Sequence, residues 1–310
     1  MRLACPVLVL TALALPLHAE DLTVGFAIAK SGWMEAYDTP ADTAAKIRID
    51  EINAAGGLLG RQIRIVEADT RTDRAESAKA GLDVLDQGAE MMVVSCDYDF
   101  GAPAALVAEG EGMNSFFLCA EDVKAGIQGV GPLSFSSSVL APVQGATMAE
   151  WSHAKRNARS AYVLEDTFIE YNKGICTGFN WMFPTLEGAE IVGTDTFKND
   201  DASLASQITR IKALPAEPDV IMLCSVMPGA AAAVRQIRAA GINSLILNGS
   251  AVDGSYWLDA TPDLSGFVVP VQGSIYGDDP RPEVEAFNAA YEAKTGARPA
   301  SQYAYPGYVL

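Results

Sequence analysis

Asp50-Glu51-Ile52-Asn53-Ala54-Ala55-Gly56-Gly57-Leu58-Leu59-Gly60-Arg61 is the stretch on which the fold turns. Upstream, Ala44, Ile47, Ile49, Ile52 and Ala55 recur among charges from Pro40 to Ala55, which is helix spacing. Gly56-Gly57 stops that helix, and Gln62–Glu67 follows at once as a strand. Outward in both directions the same alternation continues. Leu22–Ala29 (LTVGFAIA) reads as a strand before the helix. Arg74–Gln87 reads as a helix after it, then Glu90–Ser95 (EMMVVS) as a buried strand, Ala102–Gly110 as a helix and Ser115–Cys119 (SFFLC) as a strand. Strands alternating with helices imply a parallel sheet covered on both faces.

The pattern then restarts. A helix over Ala141–Lys155 leads into strand Ser160–Leu164, followed by helix 172–183, strand 189–197, helix 203–213, strand 219–224, helix 229–240 and strand 244–248. A short helix near 254–260 and a strand over 266–271 close the series. The predicted fold class is α/β with two doubly wound lobes, each the size of a small domain. Ligands of such sheets sit beyond the carboxyl ends of the strands, so a cleft between the lobes is the place to look for function.

The chain has 310 residues and a formal charge of −17. An acidic surface repels phosphate backbones and anionic lipid, so nucleic acid and membrane surfaces are excluded as partners. After the N-terminus no run of 18 apolar residues occurs, and no direct membrane insertion is expected. Met1-Arg2, the uncharged apolar run Leu3–Leu17 and the small residue Ala19 have the build of a secretory signal peptide over residues 1–19, cut near Ala19. Export leaves Cys96, Cys119, Cys176 and Cys224, which an oxidising compartment pairs into two disulfides or leaves as four buried thiols.

Tests for catalysis fail. His153 is the single histidine after residue 19 and falls on a helix, away from the strand-end position of a triad base. There is no HExxH zinc motif, no GxSxG elbow and no GxxxxGK[ST] phosphate loop. A carboxylate-only secreted enzyme stays open on residue types alone. The main expectation is a binding protein with no cofactor.

Asp50–Arg61 closely resembles the helix-to-strand signature of the branched-chain amino-acid type of periplasmic solute-binding protein, leucine-binding-protein-like receptors of ABC importers. Tyr171-Asn172-Lys173-Gly174, the unit Asp219–Cys224 with Pro228–Gly241, and Phe287, Tyr291 and Gly296 resemble further segments of that family, across the whole chain after the leader. The resemblance implies a type I periplasmic-binding-protein fold: two Rossmann-like lobes joined by crossover strands, lobe one over 20–139 plus 272–310 and lobe two over 140–271. It implies a monomer that captures a small solute by hinge closure and presents it to a permease, in the periplasm. Gln302–Leu310 resembles the start of a helix that the family continues, so the chain looks truncated at its C-terminus. An amide-type sensor on the same scaffold is the other reading of the resemblance.

The resemblance also assigns pocket positions. The family's serine-rich loop becomes Cys96-Asp97-Tyr98-Asp99-Phe100-Gly101, with Asp99 near the hydroxyl position, and its Ala-x-Thr turn becomes Ala120-Glu121-Asp122, with Asp122 near the threonine. The family's lobe-two acid aligns near Ser250, and a lobe-two tyrosine is replaced by Val226 or Met227. The expected ligand-binding set is Trp33, Tyr98, Asp99, Ala120, Asp122, Tyr171 and Ser250. Carboxylates there repel a ligand carboxylate by several kcal/mol at an effective dielectric of about 20, so a cation or an amide-like solute fits better than a standard amino acid. Trp33, Tyr37, Tyr98, Phe100, Phe168 and Tyr171 supply rings for cation–π contacts. A metal on Asp97, Asp99, Glu121 and Asp122 is a further possibility, as is simple helix capping by these acids. Glu35, Asp38 and Asp42 are expected to face solvent. If the strand order is that of other doubly wound sheets, Cys96 and Cys119 lie within disulfide reach; Cys176 with Cys224 is the other candidate pair.

Overall fold

The computed structural model describes residues 20–261 and 264–310, so the expected signal peptide lies outside the described residues. In the first lobe β1 (Leu22–Ile28), β2 (Ile63–Asp69), β3 (Met91–Val94), β4 (Ser115–Phe117) and β5 (Ser134–Ser136) run parallel in the order β2-β1-β3-β4-β5. In the second, β6 (Ser160–Asp166), β7 (Glu190–Phe197), β8 (Val220–Cys224), β9 (Leu245–Leu247) and β10 (Phe267–Val268) run parallel in the order β10-β9-β8-β6-β7. Each lobe thus has the same winding, with its order reversing beside its first strand. Val220–Cys224 is buried at every position, as a strand covered on both faces must be.

Helices α1 (Glu35–Ala54), α2 (Arg74–Asp86) and α3 (Tyr98–Gly110) belong to the first lobe; α4 (Ala141–Arg156), α5 (Glu170–Met182), α6 (Ala205–Lys212) and α7 (Gly229–Ala239) belong to the second. The chain then returns: α8 (Pro282–Thr295) and α9 (Ala304–Val309) pack on α1. There Gly307 lies against the Ala41 backbone, where a Cβ would meet the carbonyl oxygen at 2.2 Å, and the Tyr308 hydroxyl donates to Glu51 at 2.7 Å.

Asp50–Arg61 does what its sequence reading required. Its helix ends at Ala54, and Gly57 turns with φ +84° where a Cβ would lie 2.1 Å from the Arg61 carbonyl oxygen. Other boundaries differ. The first helix starts at Glu35, with Pro40 inside it, because Tyr37, Pro40 and Ala41 extend its buried face by another turn. A proline there forfeits one internal hydrogen bond. The third starts at Tyr98 rather than Ala102, because Asp97 is extended (φ −131°, ψ 140°) and accepts from the Phe100 N–H at 3.3 Å, an N-cap. Strand β5 has no counterpart in the sequence reading: Ser-Phe-Ser carries no apolar run and is held by its ladder to β4. The expected strand over 266–271 shrinks to Phe267–Val268, and the expected helix near 254–260 is a 3-10 turn over Leu258–Ala260.

Candidate binding cleft

Two strand ends build the site. Val94 pairs with Phe117, the Leu118 N–H donates to the Val94 carbonyl at 2.9 Å, and just beyond, Cys96 and Cys119 form a disulfide with Cα atoms 4.4 Å apart. Past that bond the two chains present Asp97 on one side and Glu121-Asp122 on the other. All three carboxylates are at most 4 % exposed. The second disulfide, Cys176–Cys224, ties α5 to the end of β8 in the other lobe.

Asp97 caps α3. The Asp122 Oδ2 accepts from the Tyr98 N–H at 3.3 Å, while its Oδ1 is buried with no hydrogen-bond partner. Glu121 is saturated: the Ser250 hydroxyl lies 2.8 and 2.7 Å from its two oxygens, and the Tyr303 hydroxyl donates to it at 3.0 Å. Trp33, Met34 and Tyr37 from lobe one, Ile169, Tyr171, Val226 and Ala251 from lobe two, and Tyr303 complete the walls. In this closed form the cavity between them is about 20 Å³, room for about one water molecule.

The electrostatics are one-sided. Among the lining residues there are three acids and no base. Burial pushes Glu121 and Asp122 each up to about 7. Burial, and then the neighbouring charges of Asp122 and Asp99, hold Asp97 well above the usual carboxylate range. Burial also raises Tyr37 to about 12 and holds Tyr171 and Tyr303 well above the ordinary phenol range, with Glu121 adding to the last two. The tyrosines therefore stay protonated.

The lobes are closed on each other. Besides the Ser250–Glu121 contact, the Met227 N–H donates to the Tyr37 hydroxyl at 3.2 Å and the Gln302 N–H to Asp253 at 2.8 Å. Lys124 pairs with Glu170 at 2.8 Å, and the Trp33 ring lies 5.5 Å from that of Phe168.

Of the expected set, Trp33, Asp122 and Tyr171 line the cleft. Asp99 does not: it sits in the first turn of α3, held by Arg74 at 2.6 Å, and its Oδ2 accepts the Glu170 N–H at 2.9 Å. Tyr98 also turns aside, its hydroxyl donating to the Gly129 carbonyl at 3.4 Å with Lys124 over its ring. Ala120 is fully buried, its carbonyl accepting from Ser136. Ser250 is not among the lining residues, spending its hydroxyl on Glu121 and donating its N–H to Gln144 at 2.9 Å. Because Asp99 is spent elsewhere, the four acids do not converge, and among the described residues no group of His, Cys, Asp or Glu could hold a metal ion. Asp97, Glu121 and Tyr37 line the cleft although the expected set leaves them out. Tyr303 is missed altogether, because it arrives from the far end of the chain with no local motif. Asp38 is a correction: it is fully buried, not solvent-facing, accepting from the Ala29 N–H at 2.7 Å, the Ser95 hydroxyl at 2.7 Å and the Cys96 N–H at 2.8 Å. Asp42 is also largely enclosed, pairing with Lys46 at 2.8 Å, whereas Glu35 is exposed.

Two doubly wound lobes shut over a cleft at their strand ends are the architecture of a two-lobed binding protein. The sequence matches the periplasmic binding protein family over residues 21–310, and the chain belongs to that family. It is 24 % identical to the Leu/Ile/Val-binding protein BraC3 of Rhizobium johnstonii over 82 % of this chain and 68 % of the relative. It is 22 % identical to the Leu/Ile/Val-binding protein of Escherichia coli K12 over 90 % of this chain and 75 % of that one. Among solved structures, the branched-chain amino acid transporter substrate-binding protein LivJ of Streptococcus pneumoniae, in complex with isoleucine, superposes with a TM-score of 0.82 at 26 % identity, covering 93 % of this chain and 81 % of that one. A solute-binding protein of an ABC transporter from R. palustris, in complex with benzoate, has the same fold (TM-score 0.77, 18 % identity, 93 % and 78 % covered). The chain is thus a periplasmic binding protein by family, and these relatives are binding proteins by name.

Proposed function

We propose that this protein is the periplasmic receptor of an ABC importer for a small amine, a solute with an ammonium group on a short apolar or aromatic body and no carboxylate of its own. Leader cleavage near Ala19 releases a monomer; lobe one (20–139 with 272–310) receives the solute, lobe two (140–271) closes over it, and the permease reads the closed form. The observation that carries the reading is the Asp97–Asp122 pair, held by N–H groups at the start of α3 but faced by no basic side chain in the lining, with the orphaned Asp122 Oδ1 beside it. Isoleucine and benzoate, bound by the structural relatives, both carry a carboxylate. Here such a group would meet buried carboxylates and no base. Trp33, Tyr37 and Tyr171 wall the same space with rings, each cation–π contact adding about 0.5–2 kcal/mol.

A matched series tests it by thermal shift: 3-methylbutylamine, leucine and 4-methylpentanoate, then 2-phenylethylamine, phenylalanine and 3-phenylpropanoate. A true ligand at a hundredfold excess over its Kd stabilises by about 2.7 kcal/mol. The amines are expected to raise the melting temperature and the carboxylates to leave it alone. Stabilisation by leucine that survives Asp122→Asn would overturn the charge argument.

A further inference from the structure

The Cys96–Cys119 disulfide occupies the one place where a covalent tie changes the electrostatics of the cleft. A parallel ladder holds two strands together only as far as its hydrogen bonds reach. Here the last is Leu118 N–H to Val94 carbonyl, and the chains leave the sheet at the paired cysteines. The next side chain on the first chain is Asp97; on the second, past Ala120, come Glu121 and Asp122. The groups facing this cluster have other commitments or the same sign. Asp99 and Glu170 add negative charge. Lys124 is spent on Glu170, and Arg74 on Asp99. Tyr37 and Tyr171 present hydroxyls from α1 and α5, and Ser250 and Tyr303 donate to Glu121 alone. Nothing cationic lines the cleft between Asp97 and Asp122, so once ionised they push the two strand ends apart.

We propose that the Cys96–Cys119 disulfide is a positioning pair for the binding site: it holds Asp97 and Asp122 side by side against their mutual repulsion, keeping a cation subsite assembled before any cation arrives. Its purpose rests on the amine reading, but its test does not, because the repulsion exists in the empty protein. The Cys176–Cys224 bond is the internal control: Glu165 and Asp166 lie near its strand end, but both belong to β6, so the bond holds no acid of one tied chain against an acid of the other.

The experiment compares melting temperatures of the chain without its leader, the double variant Cys96→Ala/Cys119→Ala and the double variant Cys176→Ala/Cys224→Ala, without ligand, between about pH 5 and about pH 8. A native state that keeps two acids close binds protons more tightly than one in which they separate. The intact chain must therefore lose stability faster as pH rises, and the benefit of the 96–119 bond must shrink from the acid to the alkaline end. The benefit of the 176–224 bond is expected to be flat with pH. Adding Asp122→Asn to both members of the 96–119 comparison is expected to flatten that one too. If the alanine pair does not fold, the apolar pair Cys96→Ala/Cys119→Val supplies the same comparison. Equal pH dependence for the two disulfides overturns the proposal. Failure of every amine to bind, with the 96–119 benefit still shrinking, overturns only the choice of solute.

Discussion

Asp38 shows how much one misjudged side chain can carry. It lies in the first turn of α1, and its carboxylate gathers donors from the ends of β1 and β3, fixing the two central strands where they face the cleft. Lobe two repeats the device: Asp166 accepts from the Ser225 hydroxyl at 2.7 Å and from the Asn199 amide at 2.6 Å. Asp38→Ala strands two backbone N–H groups and a hydroxyl in the interior, each worth about 1–3 kcal/mol when unsatisfied. A loss of about 3 kcal/mol is expected in urea unfolding, seen as a lower midpoint with an unchanged slope. On the amine reading, Asp122 is expected to carry binding rather than stability. Removing one partner of a buried charge pair costs about 2 kcal/mol or more. Asp122→Asn is therefore expected to weaken 3-methylbutylamine by at least about 30-fold in calorimetry while leaving the protein folded.

Among the elements, α5 takes its cap from the other lobe. Its own N-cap residue, Ile169, offers no acceptor, and Asp99 of lobe one fills the role across the cleft, steadied by Arg74. That bond is available only when the lobes are shut. An N-cap is worth about 0.5–2 kcal/mol, so Asp99→Ala is expected to weaken every solute by about 2- to 30-fold and by the same factor. A change in the ratio between two solutes would instead put Asp99 at the ligand. The family resemblance places Asp99, not Asp97, near the hydroxyl position. Both lie in one loop, and which of them faces the cleft depends on where α3 begins; Asp97, three residues before Phe100, is the capping signal that decides it. Strands with both faces buried, such as Met91–Val94 and Val220–Cys224, are legible because an unbroken apolar run has no other home. Short strands such as Ser134–Ser136 are not, since a neighbour's ladder holds them rather than their own side chains. The three acids are legible as strand-end residues, whereas Tyr303 and the Ser250–Glu121 bond depend on contacts between distant parts of the chain.

For the molecule as a whole, these buried acids set how folding and binding respond to pH. Asp38 is raised to about 6 and Glu121 and Asp122 to about 7, in each case chiefly by burial. Their folded values lie above the unfolded ones, so the native state holds protons that the unfolded chain has already released. The stability these groups confer on the empty protein therefore falls as pH rises from about 4 through about 7. An ammonium group beside Asp97 and Asp122 reverses the preference, since it favours the ionised carboxylate. Binding below about pH 7 must then expel a proton into solution, and affinity must climb by up to about tenfold per pH unit for each proton expelled, flattening near neutrality. Calorimetry with 3-methylbutylamine in buffers of different ionisation enthalpy counts those protons directly. A carboxylate solute would do the opposite, taking up a proton and binding less tightly as pH rises. The sign of the proton count therefore separates a cation receptor from an amino-acid or aromatic-acid receptor on the same fold, and an affinity that stays flat between about pH 5.5 and about pH 7 would remove the acid pair from the binding step altogether.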